Sequence, residues 1–183
     1  MDRQTAMALL RSNVKSGNLI NHMLATEFIM RHLAERFGED AERWGIAGLL
    51  HDIDYDTTAA DMHRHSRAGS QMLREAGLDE GICHAVLAHN GAHGEPRESL
   101  MDKALHAVDP LTGLIVATAL VMPGRKLASV TAEKVVNRYK EKAFAKGANR
   151  EQIARCSELG MSLEEFIEAG LLAMQLRADE IGL

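Results

Sequence analysis

Apolar residues recur every three or four positions along almost the whole chain, which is the spacing of amphipathic α-helices. The clearest stripe runs from Leu19 to Phe37, and Gly38 follows it at the place where helices commonly end. No segment shows the apolar–polar alternation with a period of two that a half-buried strand requires. The pattern therefore predicts an all-α fold.

Glycine, proline and polar residues divide this pattern into separate helices. The predicted helices cover approximately residues 3–14, 19–37, 40–50, 60–76, 79–89, 99 onward, 131–146, 149–158 and 163–181. Residues 54–58, 90–96 and 122–126 are predicted loops. At Asp109-Pro110 we expect a kink or a new helix, because proline lacks the amide hydrogen that a helix interior needs. Ser162 and Glu165 have the spacing of a capping box.

Composition restricts the classes of function. The formal net charge of −5 gives no general attraction for a nucleic-acid polymer or an anionic membrane. The longest apolar run, residues 113–123, is too short to span a bilayer. Cys83 and Cys156 form no CxxC motif and are expected to be reduced thiols, as in a cytoplasmic protein.

Six polar residues adjoin segments that should be buried. A buried histidine or aspartate is costly without a partner, and one metal centre could satisfy all of them together. Imidazole and carboxylate ligands suit Fe, Mn, Zn, Ni or Co. The candidate metal ligands are His22, His51, Asp52, His65, His89 and Asp109.

The adjacent pair His51-Asp52 sets a geometric condition. Neighbouring side chains on a regular helix diverge by about 100°, so both can reach one metal only where the helix ends. The DIDYD sequence, which begins at Asp52, provides such an ending. The two oxygens of Asp52 could also bridge two metals.

The order H…HD…H…H…D resembles the HD superfamily of metal-dependent phosphohydrolases. GLLHDID around His51 resembles the hallmark turn of that family, and HAVDPLTGL around Asp109 resembles the segment that carries its last aspartate. HSRAG around His65 and VLAHN around His89 resemble the added ligands of two-metal members. The match covers roughly residues 18–120. HDIDY replaces the HDIGK of many relatives, and Asn90 follows His89 where some relatives have a second histidine.

The resemblance implies an HD-domain helical bundle in a single domain, 1–183, with a core at about 18–122 and a C-terminal helical extension at about 123–183. The cofactor would be one or two divalent transition metals, with Mg as a further candidate. One metal would be held by His22, His51, Asp52 and Asp109. The second would be held by His65 and His89, with Asp52 bridging.

The implied activity is hydrolysis of a small phosphate ester, such as a nucleotide, by metal-activated water. Asp52 would be catalytic, and Asp54 or Asp56 would orient water. The expected partner is this small substrate, with a homodimer as a further possibility and with no nucleic-acid polymer or membrane. The candidate phosphate-binding residues are Arg67, His93, Arg125, Lys126, Lys142 and Lys146.

Other interpretations stay open. Asp109 could be the N-cap of a helix with Pro110 at its first position. The whole chain could be an iron oxygenase on the same scaffold, or a non-catalytic HD module that binds a nucleotide or a protein. It could also be a helical interaction protein that holds no metal.

Overall fold

The computed structural model describes residues 1–183, which form α-helices, short 3₁₀ turns and no β-strand. This confirms the predicted all-α fold. The α-helices are α1 Arg3–Asn13, α2 Gly17–Phe37, α3 Ala41–Leu50, α4 Tyr55–Thr58, α5 Arg67–Glu75, α6 Glu80–His89, α7 Leu100–Leu120, α8 Ala132–Lys140, α9 Arg150–Ala154 and α10 Leu163–Gln175. The 3₁₀ turns are Gly91–His93, Pro123–Arg125, Leu127–Ser129, Arg155–Leu159 and Ala178–Ile181.

Several helix boundaries lie where capping residues predict them. Gly38 ends α2 in the left-handed region at φ 72°, which glycine adopts at little cost. The Asp79 side chain accepts hydrogen bonds from the amides of Gly81 and Ile82, the second and third residues of α6. Ser162 and Glu165 form the predicted capping box at the start of α10. Local hydrogen bonding therefore fixes these starts and ends.

The segment before α5 differs from the prediction. We expected one helix over residues 60–76, but α5 begins only at Arg67 and turns occupy residues 59–66. Ser66 has φ 67°, which interrupts a right-handed helix, and its amide donates to the buried carboxylate of Asp54. Residues 54–58, predicted to be a loop, contain the short helix α4. The hydrogen bond from Ser66 to Asp54 thus helps to start α5 later than the apolar spacing predicts.

Of the two outcomes expected at Asp109-Pro110, a new helix is wrong, because α7 continues through the proline, and a kink stays a prediction. Proline cannot donate to the carbonyl of His106, four residues earlier. The side chain of Gln152 supplies the missing hydrogen bond, with its Nε2 atom 2.7 Å from that carbonyl oxygen. Asp109 therefore lies inside a helix and is not an N-cap.

All three C-terminal α-helices are shorter than predicted, and α9 ends at Ala154, where the 3₁₀ turn Arg155–Leu159 begins. Helix α8 ends at Lys140, not near residue 146, and α10 ends at Gln175 before the separate turn Ala178–Ile181. The guanidinium of Arg150 donates to backbone carbonyls after α8, including those of Phe144 at 2.6 Å and Ala145 at 2.7 Å. Its Nε atom also donates to the carbonyl of Tyr139 at 3.3 Å, a group that a longer α8 would have paired.

Helix α2 lies at the centre and packs along α3, α7 and α10. At the crossing with α3, a Cβ atom on Gly48 would lie 3.0 Å from the backbone of Glu27, so only glycine allows this approach. The carboxylate of Glu27 is fully buried and bonds Arg3 at 2.6 Å and Arg31 at 2.8 Å. The close approach of Gly48 to the backbone of Glu27 sets the position of the C-terminal end of α3 relative to α2.

One continuous apolar core includes residues from Ala6 to Ile181, so the predicted C-terminal extension packs into the same core as the rest of the chain. No helix combines the length and the apolar character needed to cross a membrane.

Candidate metal centre

The structure brings all six candidate ligands together, although they come from five parts of the chain. His22 lies on α2, and His51-Asp52 directly follows α3. The helix ends there, which is the condition under which two neighbouring side chains can both reach one metal. The remaining three occupy the turn before α5, the end of α6 and the middle of α7, and are His65, His89 and Asp109 respectively.

The carboxylate of Asp52 lies at the centre of this cluster. Its Oδ2 atom is 3.7 Å from Nε2 of His22 and 3.5 Å from Nε2 of His51. Its Oδ1 atom is 3.4 Å from Nε2 of His65 and 3.5 Å from Nε2 of His89. Each carboxylate oxygen thus faces a different pair of imidazoles.

Asp109 completes the half of the centre that contains His22. Its Oδ1 atom is 3.2 Å from Nε2 of His22 and 3.8 Å from Nε2 of His51, and these two nitrogens are 3.2 Å apart. Such a set of nitrogen and oxygen donors fits a first-row divalent metal. Two groups of three donors lie close enough together to hold a metal ion, and Asp52 belongs to both: one group adds His22 and His51, the other His65 and His89.

Local carbonyl groups orient two of the histidines. Nδ1 of His51 donates to the carbonyl of Gly48 at 2.8 Å, and Nδ1 of His89 donates to that of Val86 at 2.6 Å. A carbonyl can only accept, so in the neutral ring the Nε2 lone pair faces Asp52. This is the tautomer that metal coordination through Nε2 requires.

Side chains orient the other two histidines. The hydroxyl of Thr112 donates to the carbonyl of Asp109 and accepts from Nδ1 of His22, each at 2.8 Å. Nδ1 of His65 lies 3.0 Å from Oδ1 of Asp54. Thr112 was not among the predicted site residues, although it follows Asp109 by one helical turn and therefore shares its face.

Asp54 lies behind His65 and does not line the open centre. Its side chain is 0% exposed, and Oδ2 accepts from the amides of Ser66 at 2.8 Å and Gly69 at 2.9 Å. The expectation that Asp54 orients water is therefore replaced by a positioning role. Asp56 is exposed and accepts from the amide of Lys15 at 2.7 Å.

Further polar residues hold the backbone of the candidate ligands. Nε2 of His93 lies 2.7 Å from the carbonyl oxygen of His65, to which Asn90 also donates at 3.2 Å. Nε2 of His93 is thus bonded within the chain, whereas its Nδ1 atom is buried without a hydrogen-bond partner, and phosphate binding by His93 stays a prediction. Nδ1 of His106 donates to the carbonyl of His89 at 2.7 Å, and burial lowers the pKa of His106.

The basic candidates for phosphate binding are spread over the surface. Arg67 is exposed at the start of α5, two residues after His65, and Arg125 is exposed after α7. Lys126 lines a cavity beside residues 175–180, whereas Lys142 and Lys146 line another beside Arg150. None of the six candidate ligands lines either of these two cavities. Phosphate binding by these residues stays a prediction.

The buried charges shift one another's protonation. Burial alone would lower the pKa of His51, but the carboxylates of Asp52 and Asp109 outweigh it and raise that pKa to about 9. Burial would raise the pKa of both carboxyls, yet charge and hydrogen bonding from the histidines keep the pKa of each below its usual range. The metal-free centre therefore holds at least one exchangeable proton at neutral pH.

Comparison with known proteins agrees with this geometry. The sequence model of the HD domain matches residues 19–119, which is more than half of the chain. The chain belongs to the HD domain family, as the sequence motifs predicted. This places it in a superfamily of metal-dependent phosphohydrolases, whose centres hold divalent metals.

Several bacterial proteins named Ribonuclease Y are similar over part of their length. The protein of Geobacter sulfurreducens is 29% identical over 98 residues, which are 54% of this chain and 18% of that protein. The protein of Thermotoga petrophila is 27% identical over 144 residues, 73% of this chain and 27% of that protein. The chain therefore matches only about a quarter or less of these relatives. No solved structure matches it.

Metal affinity should depend on pH through His51. Its pKa of about 9 means that the metal-free protein is protonated there at neutral pH, and coordination must displace that proton. Apparent affinity should rise roughly tenfold per pH unit from neutrality towards pH 9, and should fall on acidification. Titration calorimetry in two buffers of different ionisation enthalpy should show about one proton released per metal. The control His84→Gln, outside the centre, should release the same number, whereas a wild-type value near zero would contradict the assignment.

Asp54→Asn should weaken metal binding by roughly 10- to 100-fold, as loss of a hydrogen-bond partner behind a ligand typically does. An amide offers a single acceptor oxygen in place of the two carboxylate oxygens that now bond the His65 ring and two backbone amides. Metal titration followed by elemental analysis measures the effect, with circular dichroism as a check on folding. Asp56→Asn is the matched control. Equal affinity in both variants would show that Asp54 does not position His65.

Proposed function

We propose that the chain hydrolyses a small phosphate ester at this centre, with a mononucleotide as the substrate class. The observation that carries the proposal is the carboxylate of Asp52, which faces two imidazole Nε2 atoms on each oxygen. Hydrogen bonds to all four Nδ1 atoms support it, because they preset the tautomer for metal binding. Membership of the HD family supports the same chemistry.

His22 and Asp109 form the open side of the centre. Their side chains are 24% and 29% exposed, whereas those of His51, His65 and His89 are at most 4% exposed. A phosphate group would therefore approach from the side of His22 and Asp109. The buried histidines lie on the opposite side, where they exclude water from behind the reacting group.

A divalent metal held here would supply Lewis acidity, which would lower the pKa of bound water towards neutrality and neutralise charge on the phosphoryl oxygens. The chain's own residues would hold the metal and place negative charge around it. Asp52 presents one oxygen to each half of the centre, and Asp109 adds negative charge on the open side. Thr112 keeps the ring of His22 from rotating.

A second candidate function is hydrolysis of RNA phosphodiesters, which the name of the Ribonuclease Y relatives favours. The net charge of −5 favours a small substrate, because RNA binding depends on cationic contacts with the phosphate backbone. A cytoplasmic location and a homodimer stay predictions.

The test is elemental analysis and phosphate release for wild type and Asp52→Ala, with Glu133→Ala as a control that removes an exposed carboxylate. Wild type and control should carry one to two equivalents of a transition metal and release phosphate from small phosphate esters. Asp52→Ala should lose the metal and at least roughly 100-fold in turnover. Its circular dichroism spectrum should stay helical.

Three outcomes would contradict the proposal. Metal and turnover retained in Asp52→Ala would mean that the chemistry lies elsewhere. Oxygen-dependent turnover of a substrate without phosphate would indicate an iron oxygenase. Absence of metal from wild type, even after reconstitution, would indicate a binding module or a helical interaction protein.

A further inference from the structure

Ser66 has a backbone conformation that serine rarely adopts. Its φ of 67° is positive, which is uncommon for any residue except glycine, and the residue is fully buried. Such a conformation is costly, persists only where the surroundings enforce it, and is found most often at functional sites. Ser66 directly follows His65, which faces the carboxylate of Asp52 in the metal centre.

Three parts of the chain hold Ser66 in this conformation. Its amide donates to Oδ2 of Asp54 at 2.8 Å, and its hydroxyl donates to the carbonyl of Leu87 on α6 at 3.2 Å. The same hydroxyl oxygen lies 2.9 Å from Nε2 of His93, at the end of a 3₁₀ turn. The conformation is thus enforced by residues before α5, on α6 and after α6.

The ring of His93 joins the strained residue to its neighbour. Nε2 of His93 lies 2.7 Å from the carbonyl oxygen of His65, as well as 2.9 Å from Oγ of Ser66. A carbonyl can only accept, so in the neutral ring Nε2 carries the proton and donates to both oxygens. The serine hydroxyl can accept this bond and still donate its own hydrogen. One imidazole therefore holds the backbone of a candidate ligand and the strained residue after it.

Asn90 makes a second connection to the same backbone. Its Nδ2 atom donates to the carbonyls of Met62 at 2.8 Å and His65 at 3.2 Å. Asn90 also directly follows His89, the last residue of α6. We call residues 90–93 the clamp turn. The clamp turn begins at one candidate ligand and bonds the backbone of another.

We infer that Asn90 and His93 are positioning residues, which fix His65 relative to His89. The imidazoles of these two candidate ligands face the same oxygen of Asp52, with ring centroids 5.2 Å apart. Loss of the His93 donor would release the strained turn and let the ring of His65 move away from that oxygen. Metal binding would weaken there, because ligands bind best when the residues behind them hold their geometry.

The effect should be confined to one half of the metal centre. The hydrogen bonds of the clamp turn do not reach His22 or His51. Thr112 and the carbonyl of Gly48 orient those two rings instead. The inference rests on the metal-binding part of the proposed function and not on its substrate. It adds that the two halves of the centre can be disturbed separately.

Nitrogen NMR of the imidazoles during a zinc titration tests this without substrate, because the Nε2 resonance of a histidine shifts when that atom coordinates zinc. We would compare wild type with His93→Leu, which removes the donor, and with His93→Gln, whose amide can donate from a similar position. The control His63→Leu changes an exposed histidine in the turns before α5. The zinc concentration for half-saturation at His65 and His89 should rise roughly 10- to 100-fold in His93→Leu. It should stay near the wild-type value in His93→Gln and in the control.

A purely structural role would not divide the centre in this way. In His93→Leu, the resonances of His22 and His51 should still respond to zinc as in wild type, and the circular dichroism spectrum should stay helical. If His93→Leu does not fold, Asn90→Ala takes its place with the same expected result, because it removes the other donor to the carbonyl of His65.

The inference is overturned if His65 and His89 bind zinc equally well in His93→Leu and wild type, or if all four histidines lose zinc together. It is also overturned if His93→Gln loses zinc as fully as His93→Leu does. Zinc bound only at His22 and His51 in wild type would overturn it and leave the proposed function standing, whereas no zinc at any of the four would overturn both. The expected zinc pattern without phosphate release would mean that only the proposed function fails.

Discussion

The carboxylate of Asp52 has the Nε2 atoms of four histidines within 3.7 Å of its two oxygens, and the rest of the structure serves to hold this arrangement. Buried carboxylates and imidazoles at such distances are costly unless protons or a metal balance their charge. In the metal-free state a proton on His51 contributes to that balance, as its raised pKa indicates. A divalent cation would replace protons with a stronger and better-directed partner. Metal binding would relieve this unfavourable free energy, and the relief would contribute to the affinity for metal.

The backbone geometry behind the centre depends on a few close contacts. Gly48 lets α3 approach the backbone of Glu27, and three residues later the chain reaches His51, whose ring bonds the Gly48 carbonyl. Asp54 acts similarly for the second half of the centre, since one buried carboxylate fixes both the ring of His65 and the start of α5. Ring orientation is therefore set by the same hydrogen bonds that set the fold.

The sequence predicted the all-α class, most helix starts and all six residues of the cluster, because caps, apolar spacing and the HD motif are local signals. It could not predict the continuous helix at Pro110, since the compensating donor is Gln152, distant in sequence and brought close only by folding. The late start of α5 depends on a bond from Ser66 to Asp54 across a turn. The positioning role of Asp54 was missed for the same reason. Contacts between distant segments, not propensity, decided each of these cases.

The open side of the metal centre, at His22 and Asp109, is where a phosphate group would approach. Everything in this account depends on metal bound at Asp52. Anomalous diffraction from crystals of the metal-saturated protein tests this most directly. The account predicts at least one peak within coordination distance of the Asp52 carboxylate, near His22 and His51 or near His65 and His89. A well-ordered cluster with no anomalous peak within coordination distance of Asp52 would contradict it.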